Sequence, residues 1–197
     1  MKHGQESIIT KTQNSMKKKL RHIIVDSIRE IIFGLEDSLV STLGAVTGIA
    51  AGTQNTQIVI LSGLVLIAAE SMSMAAGSYL SSKHAIAAEQ FERKQEGKPK
   101  EEPHEKPFRS GWVMGVFYFV GGFIPLFPYF ILPTQSALLP SVILTGGTLY
   151  GLGVWSAKYS NRSKVKSGIE MAGISLAAAL VGFIIGHVIG ILFGLNV

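Results

Sequence analysis

Glu36, Asp37 and Glu70 stand inside strongly apolar stretches of a 197-residue chain, where charge is costly. A carboxylate placed in hydrocarbon is rare unless it lines a route for ions or protons, so these three positions are where chemistry is expected. At about 100° per residue, Asp37 shares a helical stripe with Ser41, Gly44 and Gly48, while Glu36 is turned onto a different face. The same arithmetic groups Glu70, Ser73, Met74, Gly77 and Ser81 on one face of the next apolar stretch. Counted at about 1.5 Å per residue from inner ends near Ile31 and Tyr79, Asp37 lies about 9 Å deep, Met74 about 7.5 Å and Glu70 about 13.5 Å. Two antiparallel helices would therefore bring Asp37 to a level between Met74 and Glu70. A divalent cation held there would meet hard oxygen ligands and one soft sulfur, a mixture that suits Fe(II) or Mn(II) better than Ca(II) or Mg(II). The plainer readings are that Met74 fills space, as methionine usually does, and that the acids are hydrogen-bonded structural groups. His187, further on, reads as a packed neutral imidazole or a proton relay.

The elements that position these groups follow from how charge is distributed. The hydrophobic fraction is 47% and the mean hydropathy +0.36, yet the charges are segregated. From Ser38 to Ser82 the only charged residue is Glu70, and none occurs from Ser110 to Ala157 or from Met171 to Val197. A crossing needs roughly 20 apolar residues, so the pattern predicts an all-α integral membrane protein with five spans, near 31–53, 57–82, 111–132, 136–157 and 169–194. Residues 1–30 read as a polar tail and an interfacial amphipathic helix, 31–82 as the first two spans, 83–110 as a charged cytoplasmic loop, and 111–197 as the last three spans. The amphipathic segment is carried by Met16, Leu20, Ile23, Ile24, Ile28 and Ile31, with basic residues between them.

All 18 basic residues fall in three segments that lie on one side if there are five spans: seven before the first, seven between the second and third, and four between the fourth and fifth. The positive-inside rule then puts the N-terminus in the cytoplasm and the C-terminus outside. That distribution accounts for the net charge of +5 without nucleic acid as a partner. The absence of cysteine excludes disulfides and thiolate metal sites. The N-terminal stretch runs into Asp26, Arg29 and Glu30 and does not read as a cleavable signal. Glycine recurs every fourth residue at 44, 48 and 52 and again at 182, 186, 190 and 194, the spacing that lets helices approach closely. A tight and oligomeric bundle is expected. Pro125 and Pro128 should kink or unwind the third span. In the loop, Glu89, Glu92 and Glu96 recur at helical spacing and extend the second helix, while Glu101, Glu102, His104 and Glu105 read as solvated linker or a weak metal site.

Three segments, in order, resemble a known family. Arg29-Glu30-Ile31-Ile32-Phe33-Gly34-Leu35-Glu36-Asp37-Ser38-Leu39-Val40-Ser41 is similar to the first-helix signature of the vacuolar iron transporter family, R-D-x-I-F-G-x-N-D-G-L-V-S. Ser73-Met74-Ala75-Ala76-Gly77-Ser78-Tyr79-Leu80-Ser81 resembles its S-M-A-A-G-E-Y-V-S, and Gly122-Phe123-Ile124-Pro125-Leu126-Phe127-Pro128-Tyr129 its G-x-x-I-P-L-x-P-[YF]. The resemblance implies a homodimer of five-helix protomers that exports Fe(II), and often Mn(II), from the cytosol in exchange for protons. Asp37 and Met74 fall on matching motif positions and would be metal ligands, joined by Glu70 and Glu36 from the reading above. It implies transported metal and no resident cofactor, membrane lipid and protons as the other partners, and a prokaryotic cell membrane or a vacuole-like one. The chain departs from the family where Ser78 replaces a Glu, where Glu70 replaces a small residue, and where Glu36 and Ser38 replace Asn and Gly. The loop is shorter than the Glu-rich iron-capturing domain of eukaryotic members, of which Glu89, Glu92 and Glu96 would be a remnant. The rival reading is a non-transporting membrane protein, or a metal sensor, whose carboxylates only join helices. No Ser/His/Asp grouping or HExxH motif supports an enzyme.

Overall fold

The computed structural model describes the backbone of residues 2–99, 106–160 and 162–194, with side chains from residue 27 onward. The amphipathic face expected before Ser27 and the Glu101, Glu102, His104, Glu105 cluster lie outside the described residues. Five helices cover nearly all of the rest: α1 (Lys2–Thr53), α2 (Thr56–Gln95), α3 (Pro107–Leu126), α4 (Thr134–Ser160) and α5 (Lys164–Phe193), with a 3₁₀ turn at Phe127–Phe130 after α3. All five are long and apolar enough to span a membrane, the spanning part of α1 being Ser27–Thr53. Helix suits a chain in hydrocarbon, because it satisfies every backbone group within one segment. α2 continues well past its apolar part, as the Glu89, Glu92, Glu96 spacing anticipates.

The bundle is dressed for lipid. Large apolar side chains cover its outside, Leu61 being 65% exposed and Leu192 71%, while small hydroxyl residues such as Ser38, Thr42, Ser141 and Thr145 are fully buried. α1 is the central helix, packed most extensively on α5 and α3. α2 leans on α3, and touches α1 less than either of them touches α3. The expected α1–α2 hairpin is therefore antiparallel but loosely packed, with α3 holding its two arms.

Glycine sets these approaches. A Cβ on Gly48 would lie 2.8 Å from the Gly182 carbonyl oxygen, and one on Gly52 2.9 Å from that of Gly186. The two predicted stripes thus meet each other within one protomer, backbone against backbone. On α3, a Cβ on Gly115 would fall 2.8 Å from the Ala75 Cβ, and one on Gly122 2.6 Å from Ile67. Of the two prolines expected to distort this span, Pro125 stays within α3 and Pro128 lies in the 3₁₀ turn into which the helix tightens. Pro128 has no N–H to offer the preceding turn. The Ser141 hydroxyl instead donates to the Pro125 carbonyl at 2.6 Å. At the same end of the bundle, Asn55 caps α2 by accepting from the Gln57 and Ile58 amides, and the Thr56 and Thr134 hydroxyls bond at 2.7 Å.

Candidate metal site

Three helices deliver the polar groups of the interior. α3 runs parallel to α1: the Gly34 position abuts the Met114 carbonyl and the Tyr118 amide, and Ser38 contacts Gly121. Asp37 therefore sits level with the Tyr118–Gly121 turn. α3 runs antiparallel to α2, with Gly115 on Ser71 and Ala75 and Gly122 on Ile67. Glu70 lies between those contacts, at the same level. Their contacts with α3 thus set Asp37 of α1 and Glu70 of α2 at a shared level of the bundle. The depth count from sequence placed Asp37 between Met74 and Glu70; the structure places it level with Glu70, with Met74 one turn nearer the end where α1 begins. The count assumed that Ile31 and Tyr79 mark a common plane, whereas α1 starts earlier and α2 runs on to Gln95.

Both carboxylates are half-buried, as is Met74. Glu36 is also half-buried, but its turn of helix aims it away from that stripe. Among the described residues, no group of three or more His, Cys, Asp or Glu is arranged to hold a metal. One protomer therefore offers two carboxylates at one level and a thioether on the next turn, not a closed cage. Beside Asp37, Ser41 marks the inner end of a largely apolar groove of about 570 Å³ that runs between α1 and α5 along Gly44 and Gly48.

Tyr118 is the member that sequence reasoning missed. It is fully buried, and its hydroxyl is 2.7 Å from that of Ser41. The available signal was a phenol among Phe117 and Phe119 in mid-span, since a tyrosine hydroxyl in an apolar interior needs a partner. Glu30 is also buried, at 3% exposure, and its Oε2 has no hydrogen-bond partner among the described residues. Ser38, where the resembled signature has Gly, is buried and donates to the Leu35 carbonyl. Ser78 is half-buried and supplies no charge where the signature has Glu. On the extension of α2, Glu89 pairs with Arg93 at 3.3 Å and Glu96 with Lys98 at 2.7 Å, both at the surface, and Glu92 is exposed. Those three do not converge with the interior carboxylates. His187 is exposed on α5 and stacks on Phe183, with ring centroids 5.8 Å apart, so it is neither packed in the core nor near Asp37.

The chain is similar in sequence to known proteins. A family model described as the VIT family matches residues 28–102 and 90–187. An uncharacterized protein of Methanocaldococcus jannaschii is 29% identical over 80% of this chain and 87% of its own length. Vacuolar iron transporter 1 of Arabidopsis thaliana is 25% identical over 82% of this chain and 86% of its own. Vacuolar iron transporter homolog 4 of the same plant is 26% identical, over 83% and 69% respectively.

Proposed function

Because this chain belongs to the VIT family, we propose that it is a transporter of divalent metal, Fe(II) and/or Mn(II), moving the ion out of the cytosol in exchange for protons. The observation that carries this reading is the shared level, inside the spans, of Asp37 on α1 and Glu70 on α2, set by their helices' contacts with α3. Two like charges facing each other in a low-dielectric setting repel, and the repulsion is relieved by a cation between them or by protons on them. Those two states are what an antiporter alternates between. Metal occupancy expels the protons, and protonation releases the metal. Met74 adds the soft donor that favours Fe(II) and Mn(II) over Mg(II) and Ca(II). Glu36 borders the pair and serves as an additional proton acceptor.

A pair of carboxylates with one thioether is too few ligands to replace the water shell of such an ion. A second copy of the chain, placed against the open side of α1 and α2, would double the donors, so the working unit in this proposal is a homodimer. The half-buried state of Asp37, Glu70 and Met74 in one protomer supports it. Basic residues gather at the end where α1 begins, α2 finishes and α5 begins, which supports a cytoplasmic assignment for that end. The membrane is the cell membrane in a prokaryote and a vacuole-like one in a eukaryote. The ion is cargo, and no resident cofactor enters the scheme.

The test is flux. The purified chain is reconstituted in vesicles loaded with a pH-sensitive dye, and Mn(II) or Fe(II) is added outside under an imposed pH gradient. Metal uptake should accelerate when the lumen is acid, with protons leaving as metal enters. Metal uptake indifferent to the gradient would remove the antiport, and none at all would favour a sensor with structural carboxylates.

A further inference from the structure

The two carboxylates belong to helices that touch each other only modestly, so something else must fix their separation. That element is α3. It grips α2 at the residues next to the donors: a Cβ on Gly115 would lie 2.8 Å from the Ala75 Cβ and 3.2 Å from the Ser71 carbonyl oxygen, Ser71 following Glu70 and Ala75 following Met74. It grips α1 around Asp37, where a Cβ on Gly34 would lie 3.0 Å from the Met114 carbonyl oxygen. Backbone approaches as close as these leave no slack for sliding. Among the described residues, the polar tie that α3 makes to α1 there is the hydrogen bond between Tyr118 and Ser41, at 2.7 Å and with the phenol wholly enclosed.

We propose that Tyr118 is a positioning residue: through Ser41 it holds the α1 carboxylate at a set distance from Glu70, making α3 a spacer that determines which size of cation the pair accepts. This rests on the metal-transport reading and adds to it a residue and a role. A rigid spacer favours the ion whose radius fits the gap and costs every other ion the energy of reshaping it. A loosened spacer lets the carboxylates adjust, so discrimination by size falls before turnover does.

The experiment compares Tyr118→Phe, Ser41→Ala and the double variant with the unmodified full chain in vesicles, measuring initial uptake of Mn(II) and of the smaller Zn(II) over a concentration series. Each single variant should raise the KM for the preferred ion by about fivefold, the worth of one net hydrogen bond, while the maximal rate changes by less than about twofold. The ratio of the two ions' KM values should move toward one. The double variant should match the singles, because both ends belong to one bond, and Ser41→Thr, which keeps a hydroxyl, should restore the original KM ratio. An unchanged KM ratio in Tyr118→Phe, or effects that multiply in the double variant, would overturn the spacer. If Tyr118→Phe does not fold, Ser41→Ala decides the same bond from its other end. Asp37→Asn separates the two levels of argument: transport surviving it defeats the metal-site reading itself, whereas its loss alongside a neutral Tyr118→Phe defeats only the spacer.

Discussion

Replacing Gly48 by alanine adds a single methyl group at the tightest kind of contact in this bundle, where backbone meets backbone. The new Cβ would lie 2.8 Å from the Gly182 carbonyl oxygen, short of the optimal separation of about 3.5 Å by roughly 0.7 Å. Neither partner is a flexible side chain, so α1 and α5 must move apart along several turns. Overpacking of this kind costs about 1–3 kcal/mol. The same substitution at Gly147, which has nothing within 4 Å of its added Cβ, should instead gain up to about 1 kcal/mol from helix propensity. Two chemically identical changes are thus expected to act in opposite directions and to differ by about 1–4 kcal/mol. Thermal or denaturant unfolding of the detergent-purified protein, followed by loss of helical signal, measures the difference. Gly186→Ala should cost at least as much as Gly48→Ala, because its Cβ would collide with the Gly48 carbonyl. Equal stability of Gly48→Ala and Gly147→Ala would refute the reasoning and mean that α5 does not pack on α1 through glycine.

Other consequences follow from single contacts. Ser141→Ala leaves the Pro125 carbonyl without its 2.6 Å donor and should lower unfolding stability by about 1–3 kcal/mol, whereas Ser141→Thr should retain most of it. Asn55→Ala removes the α2 cap and should cost about 0.5–2 kcal/mol by the same measurement. Glu89→Gln and Glu96→Gln break only exposed ion pairs; each should change stability by under about 1 kcal/mol and leave metal uptake unaltered. Loss of uptake on either change would give the extension of α2 a role that its surface pairs do not suggest.

The five crossings were legible because membrane solvent writes itself into composition: long uncharged runs and basic residues confined to three segments are hard to produce otherwise. The glycine stripes announced close packing, and the structure pairs Gly48 and Gly52 with Gly182 and Gly186. The shared level of Asp37 and Glu70 was nearly reachable from periodicity plus depth, with a small error because helix ends were taken as membrane boundaries. Tyr118 was not reachable that way. Whether a tyrosine on α3 meets Ser41 on α1 depends on how three helices cross, and no period of one helix contains that information. The departures Ser38 and Ser78 were visible as letters. Their meaning depends on neighbours: Ser38 fits against Gly121, so the larger residue on α1 is accommodated by the smallest residue on α3.

The central claim is that Asp37 and Glu70 hold one cation between them, and charge neutralisation without change of shape tests it most directly. Mn(II) uptake and the accompanying proton release should both vanish in Asp37→Asn and in Glu70→Gln vesicles, while each purified variant unfolds at a temperature equal to or above that of the unmodified chain, because a like-charge repulsion has been removed. Undiminished metal-driven proton flux in either variant, or a fall in unfolding temperature with flux intact, would contradict the account and leave the two carboxylates as structural groups.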